Sequence, residues 1–395
     1  MRRVSGLERV WLAARQVGPP FANQLVLEGV GSPTPPQGWP ALLDELARVQ
    51  PGCRLRLRGL LGRMRWVSDG PLPAVRQLDG SGWDGMGPAG APFLDPPIDP
   101  SRGPLYEILI LEGRPTRVVF RTLNAATDGA GIMLFARGVF ALLRGDAPPH
   151  AQAGPTTDEQ LASSMGAAAS PPPAHDCAAP TGQADLEQSG CTWARVRAPS
   201  TSDVVPRLAV ALATATIQAA GGSRIVRVDV PVDLRRWAPQ LQSSVNLTGW
   251  MQLPIHLHLG ADDPIQAVRY VLNDGLQRKA AASHVLGAGF ARTTPLPLLA
   301  WMGSRLATTS LREGRYGTSA VVSHLGRIDP PDFSGGGFTT SRAFFVPPGS
   351  PGQPAFITTT AGPEGLELCL AMPRALASGD RLTNLLDDLR RSLAR

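Results

Sequence analysis

From about Gly145 to Gln188 the chain carries a tract of Pro, Ala and Gly without apolar periodicity, including Ala167 to Ala174 with three successive prolines. Such a composition buries too little surface to order itself, so the tract is expected to be a flexible linker or long crossover, with His150 and His175 solvated along it. It cuts the 395 residues into an N-terminal part, 1–145, a linker, 146–188, and a C-terminal part, 189–395. Each part is long enough for a core of its own, and at 43% hydrophobic residues the chain can fill two.

Each part reads as mixed α/β. In the first, helices are expected over Gly6–Arg15, Pro40–Val49 and, after Asp128, Ile132–Leu143. Strands are expected at Gln24–Leu27, Arg54–Leu60, where Arg and Leu alternate, Tyr106–Leu111 and Thr116–Leu123. In the second, Asp203–Ala220, Pro264–Ala282, Pro295–Arg312 and Gly379–Leu393 read as helices. Ser223–Val232, Thr248–Leu259, Ser319–His324, Ala343–Val346, Ala355–Thr360 and Leu366–Met372 read as strands. Sequential strands joined by short turns favour mainly antiparallel or mixed sheets flanked by helices over one doubly wound parallel sheet.

The formal charge of +6 is carried almost wholly by arginine, Lys279 being the only lysine. Without clustered Arg and interleaved aromatics this excludes a nucleic-acid binder and favours an acidic protein partner. Cys53, Cys177, Cys191 and Cys369 show neither CxxC nor metal-ligand spacing, so no metal is expected and the thiols read as small core or loop residues. Glu8, Arg9 and Arg15 interrupt any leader-like apolar run, and no stretch reaches the ~18 apolar residues of a membrane span. A cytoplasmic monomer is expected.

Chemistry concentrates where a strand runs out at Arg121-Thr-Leu-Asn124 and a helix opens after Ala-Ala-Thr-Asp128-Gly129. Here the chain resembles the condensation-domain and chloramphenicol-acetyltransferase superfamily of thioester-dependent acyltransferases, marked by HHxxxDG. The two His positions of that motif fall on Leu123 and Asn124, and its Asp-Gly on Asp128 and Gly129. Further similarities follow in family order. Pro51, Arg54 and Arg56 resemble the HPxLRxR segment, with Trp66-Val67 after it, and Asp99 to Leu105 resembles the stretch before the paired strands. Pro231 to Arg236 is similar to PVxLR, Val245 to Gly249 to VGNxTG, Val321 to Gly326 to the SNxG segment, and Leu382–Leu393 to the final helix.

The resemblance implies two chloramphenicol-acetyltransferase-like subdomains in a V-shaped pseudo-dimer with a tunnel between them. It also implies acyl transfer from acyl-CoA or a phosphopantetheinyl carrier protein, as co-substrate rather than bound cofactor, to a small-molecule acceptor. In the family the second His is the base and the Asp pairs with an arginine, here Arg235 first and Arg236 second. Gly129 would let the backbone enter the helix without a clash. Asn124 has no basic site at neutral pH. Two readings stay open: a retained thioester reaction forming an ester or amide, or a catalytically inactive protein that recruits carriers. His324 stands where the family has Asn, so it is a candidate base; Ser323 beside it is the candidate oxyanion donor. Neighbours in a strand face opposite sides, so at most one of the two is expected to face the tunnel directly.

The remaining polar features read as structural. His258 to Asp262 also fits HxxxD, but Asp263-Pro264 follows and Asp262 or Asp263 reads as a helix cap. His256 and His258 alternate with apolar residues as in an edge strand. His284 suits a helix C-terminus. Ser334 to Gly337 is a turn without the Lys-Ser/Thr of a phosphate loop, and Gly287-Ala-Gly289 is too short for a dinucleotide fingerprint.

Overall fold

In the computed structural model, residues 1–151, 157–171, 173–221, 225–256 and 263–394 are described. The expected strand ends at Ser223 and Leu259, and His258 to Asp262, lie outside these residues. In chain order the first part runs β1 (Arg2–Arg3), α1 (Gly6–Val17), β2 (Ala22–Val30), α2 (Trp39–Val49), β3 (Arg56–Arg58), β4 (Arg65–Val67), β5 (Ala74–Asp79), β6 (Tyr106–Glu112), β7 (Thr116–Leu123), α3 (Gly129–Arg144) and α4 (Asp158–Ser164). The rest runs β8 (Cys191–Ala198), α5 (Val204–Ala219), β9 (Val226–Asp233), β10 (Thr248–Ile255), α6 (Pro264–Gln277), α7 (Ala280–Gly287), α8 (Leu296–Glu313), β11 (Ala320–Arg327), β12 (Thr339–Val346), β13 (Phe356–Gly362), β14 (Gly365–Pro373), α9 (Arg374–Ala377) and α10 (Arg381–Ala394).

Two large mixed sheets form, each beside its own core. The first has the order β12-β2-β7-β6-β5, antiparallel except for the parallel pair β5–β6. Its apolar face, with Leu25, Leu27, Ile108 and Phe120, packs with Leu42 and Leu46 of α2 and Phe135 and Val139 of α3. The second has the order β10-β9-β11-β13-β14-β8, parallel only at β9–β11 and β11–β13. Val228 and Val230 of β9, Leu368 and Leu370 of β14, Leu208 and Leu212 of α5 and Leu386 and Leu389 of α10 build its core. β1, β4 and β3 make a small third sheet.

The structure corrects several expectations. β12 belongs to the first sheet, where seven of its residues pair with β2, although it lies in the C-terminal part of the sequence. The tract 146–188 is not wholly a flexible spacer. Thr157 and Gln160 form a capping box for α4, Leu161 and Ala162 are buried in the larger core, and Glu159 accepts the backbone N–H of Gly6 at 2.7 Å. Of the expected strand Arg54–Leu60 only Arg56–Arg58 pairs as a strand, since Pro51–Arg54 forms a 3₁₀ turn. The helix expected over Pro264–Ala282 is broken at Lys279, whose φ of 57° is left-handed. The break lets α7 settle on β10 at Gly249, where a Cβ would lie 2.4 Å from the carbonyl oxygen of Ala281.

Candidate active site

β9 and β11 pair only at Ala320–Val228 and Val321–Asp229, and beyond Val321 they part. The opening is part of a cavity of about 210 Å³ that also borders the end of β7, the start of α3, and β10 and β12. Asn124, Asp128, Gly129, Ser323 and His324 all line it; Arg235 lies behind Asp128.

Asp128 caps α3 by accepting the N–H of Gly131 at 2.8 Å, which fixes where the helix starts. It is 3% exposed. Arg235 grips it with two bonds, Nη1 to Oδ2 at 2.9 Å and Nη2 to Oδ1 at 3.2 Å, while Leu247 N and Thr248 Oγ1 donate to Oδ2 at 2.8 and 3.3 Å. Arg236 is not the partner. Burial works against the charge on Arg235, but Asp128 and Asp233 outweigh it and hold its pKa above the ordinary value. Burial first, and then the negative charge of Asp128, raise the Asp233 carboxyl. With both oxygens of Asp128 engaged, this carboxylate clamps the β7–α3 turn to the segment after β9.

The turn is docked from both sheets. Asn23 on β2 donates Nδ2 to Asn124 Oδ1 at 3.2 Å and to the Thr127 carbonyl at 2.6 Å. Asn246 donates Nδ2 to the Asn124 carbonyl at 2.7 Å and, more weakly, to its Oδ1 at 3.4 Å, and Asn246 N donates to the Ala126 carbonyl. Two amide donors converge on Oδ1, so Asn124 turns its acceptor to the protein. Its Nδ2 has no acceptor among the described residues and is the atom left for a ligand. Gly131 allows the close approach, since a Cβ there would lie 2.4 Å from the Ser244 carbonyl. A Cβ at Gly129 would meet Leu325 Cδ2 at 2.5 Å.

On β11, Ser323 is in register with Thr358 and His324 with Thr359, so their side chains leave opposite faces. The Ser323 face carries Val321, which clusters with Phe356 and Trp250, and Thr358 bonds the Phe345 carbonyl of the first sheet at 2.6 Å. The His324 face carries Val322, part of the larger core. The cavity still reaches His324 because β11 has no partner on its β9 side beyond Val321. His324 Nδ1 lies 2.8 Å from Thr359 Oγ1, and burial lowers the pKa of the ring.

Aromatic residues unmarked by any motif complete the wall. Trp11 of α1 lies 5.8 Å from Phe21 and 5.6 Å from Trp250, ring centre to ring centre, and Trp250 meets Phe356 edge-on at 6.3 Å. The apolar period of α1 marks Trp11 as core-facing, but not that its core is the wall of a cavity shared with β10. Asn23 carries no signal beyond being polar at a strand end, whereas Asn246 lies in the segment from Val245 to Gly249 that is similar to VGNxTG.

No protein-family model and no curated protein matches the sequence. Among solved structures, the chain is similar to the first condensation domain of the CDA synthetase, at 19% identity and a TM-score of 0.63, covering 100% of this chain and 95% of that one. It is similar to the condensation domain of the monacolin K polyketide synthase MokA at 12% identity and a TM-score of 0.63, covering 99% and 96%. A starter condensation domain of rhizomide synthetase RzmA in complex with C8-CoA matches at 16% identity and a TM-score of 0.57, covering 100% and 95%. The fold is that of condensation domains, with two chloramphenicol-acetyltransferase-like subdomains. Among the described residues, no helix is long and apolar enough to cross a membrane.

Proposed function

We propose that the chain is a condensation-like acyltransferase that takes an acyl group from a thioester, on CoA or a carrier protein, and passes it to a hydroxyl or amine of a small acceptor. The observation that carries this reading is the meeting of Asn124, from the first sheet, with Ser323 and His324, from the second, around one cavity behind the Asp128–Arg235 clamp. The likeness to a structure holding C8-CoA supports a thioester donor. An arginine-dominated positive chain suits an acidic carrier, whose docking would weaken with salt.

In this reading the thioester carbonyl sits between the two segments. Asn124 Nδ2 donates a hydrogen bond that orients the substrate. Ser323 Oγ donates to the oxyanion that develops as the nucleophile adds to the carbonyl carbon. With Nδ1–H donated to Thr359, His324 Nε2 holds a lone pair, takes the nucleophile's proton directly or through one water, and returns it to the departing thiolate. Although His324 is exposed, partial desolvation of its ring lowers the pKa below 6.5, the direction that favours the neutral form a base requires.

A second reading, a carrier-recruiting protein without turnover, is favoured by one observation: the His324 ring bonds Thr359 on the strand face opposite Ser323. Intact-mass analysis of acceptor mixtures with acyl-CoA and with loaded carrier, beside Asn124→Ala, separates the two. Acylated product that falls with the variant supports the enzyme. Bound but unconsumed thioester, for both the native chain and Asn124→His, supports recruitment.

A further inference from the structure

Beyond Trp11, Trp250 and Gln353 the central cavity adjoins a second one of about 310 Å³, walled by Leu7, Val10 and Ala288 and bordered by Phe290 at the surface, which is 61% exposed. Its walls are mostly apolar, yet three polar side-chain atoms of its lining residues are buried without a hydrogen-bond partner among the described residues: Trp250 Nε1, His284 Nδ1 and Gln353 Oε1. Stable interiors rarely leave such atoms unpaired, and their gathering around one chamber marks a place built for a ligand. His284 therefore does more than complement a helix end; burial lowers its pKa, and its ring lies 6.2 Å from that of Trp250.

Asp229 supplies the charge. Its carboxylate accepts one bond from Gln252 Nε2 at 3.2 Å and makes no ion pair among the described residues. Arg227, two residues away, is taken by Asp176 and by the carbonyls of Ala174 and Gly317. Burial pushes the Asp229 carboxyl up to about 7, against the lowering pull of Gln252, Arg227 and Thr318. Asp229, Pro231 and Asp233 share one face of β9 and line first this chamber and then the central cavity, so the two have a common floor. At ~3.3 Å per residue the floor runs on the order of 13 Å from Asp229 to the Asp233 end beside the clamp.

We propose that this chamber holds the far end of the substrate, and that the group it takes is a basic amine on an apolar, preferably aromatic, stem. The ammonium pairs with Asp229 and the faces of Trp11 and Trp250 take the stem, an arrangement in which carboxylate and aromatic wall both favour a cation. The proposal rests on the acyl-transfer reading only in placing the other end of the ligand at Asn124; binding at Asp229 needs no turnover.

The test uses the full chain and a matched pair of probes, 4-phenylbutylamine and 4-phenylbutan-1-ol, titrated by calorimetry. The amine is expected to bind at least tenfold more tightly than the alcohol. Asp229→Asn should bring the two within twofold of each other without changing the affinity for the alcohol, and an unchanged melting temperature shows the variant is folded. If Asp229→Asn fails to fold, Trp250→Phe serves: it keeps Asp229 and an aromatic face, so it should weaken both probes and retain the preference. Equal binding of the pair by the native chain, no binding of either at millimolar concentration, or a preference that survives Asp229→Asn overturns the proposal. None of these outcomes depends on whether the thioester reaction occurs.

Discussion

At the scale of single residues the site divides into groups that hold and groups that can react. Arg235 holds. Its guanidinium, 12% exposed, is the only positive partner of the Asp128 carboxylate among the described residues, so Arg235→Ala leaves a buried charge facing neutral donors. Breaking a buried pair by removing one member costs about 3–5 kcal/mol, and urea unfolding of the variant should show a loss in that range; Arg235→Lys, lacking the two-pronged fork, should recover part of it. His324 is the reacting candidate. His324→Ala should lower kcat by ~10²–10⁴ with little change in KM. Because burial lowers its pKa from 6.5, the native rate should stay level through pH 7 and fall only below pH 6.5, where the ring gains a proton. The stability sign follows. His324 and His284 both have folded pKa values below the unfolded 6.5, so the unfolded chain binds protons first as pH falls. Their contribution is present above pH 6.5 and is lost as pH falls through the lowered folded values, which melting curves of the native chain and of a His324→Ala/His284→Ala variant would show.

At the scale of elements, the two glycines of the turn make a contrast that tests how the halves dock. A methyl at Gly131 meets the Ser244 backbone and Thr127 Oγ1, neither of which can withdraw without pulling the second half off the turn. A methyl at Gly129 meets only the tip of Leu325, which can rotate. Gly131→Ala should therefore cost about 1–3 kcal/mol and weaken ligand binding in the central cavity, whereas Gly129→Ala combined with Leu325→Ala should melt close to the native temperature. The sequence makes the β7–turn–α3 unit legible because a buried apolar strand, an Asp-Gly turn and an apolar helix are all local signals. What it leaves illegible is pairing at a distance. β12 reads as a strand, but nothing within Thr339–Val346 says that its partner is β2, some three hundred residues earlier. α4 escapes notice because its apolar content is two residues inside a Pro- and Ala-rich tract, and it orders through caps and contacts made by α1. Asn124, Asp128, Ser323 and His324 could be singled out through motif spacing, and Asn246 lies in a segment similar to VGNxTG, whereas Trp11, Trp250 and Asn23 enter only through tertiary approach.

At the scale of the whole molecule, the two sheets are joined by more than the site. β12 crosses into the first sheet while β11 and β13 remain in the second, so the first sheet is not complete without the C-terminal part of the chain. A buried ionic lattice adds to this link. Glu28 on β2 takes Arg117 of β7 on Oε1 and Arg195 of β8 on Oε2, each at 3.0 Å, and Arg195 continues to Glu367 of β14 at 2.7 Å with its guanidinium 3.8 Å from the Phe344 ring centre. Burial opposes the charge on Glu28, but the two arginines outweigh it and hold the carboxyl below its ordinary value. Removing Arg195 strips the second sheet's cation from a carboxylate buried in the first, so Arg195→Ala should cost about 3–5 kcal/mol. Its wider consequence is on cooperativity. In the native chain, where β12 of the C-terminal part is built into the first sheet and the lattice joins both sheets, calorimetry should show one unfolding transition, with tryptophan fluorescence and far-ultraviolet circular dichroism melting together. In Arg195→Ala the lattice is cut but β12 remains, so the transition should move down in temperature and stay single. Two separated transitions in the native chain would mean that the sheets fold as independent units and that neither the crossing of β12 nor the lattice binds them energetically.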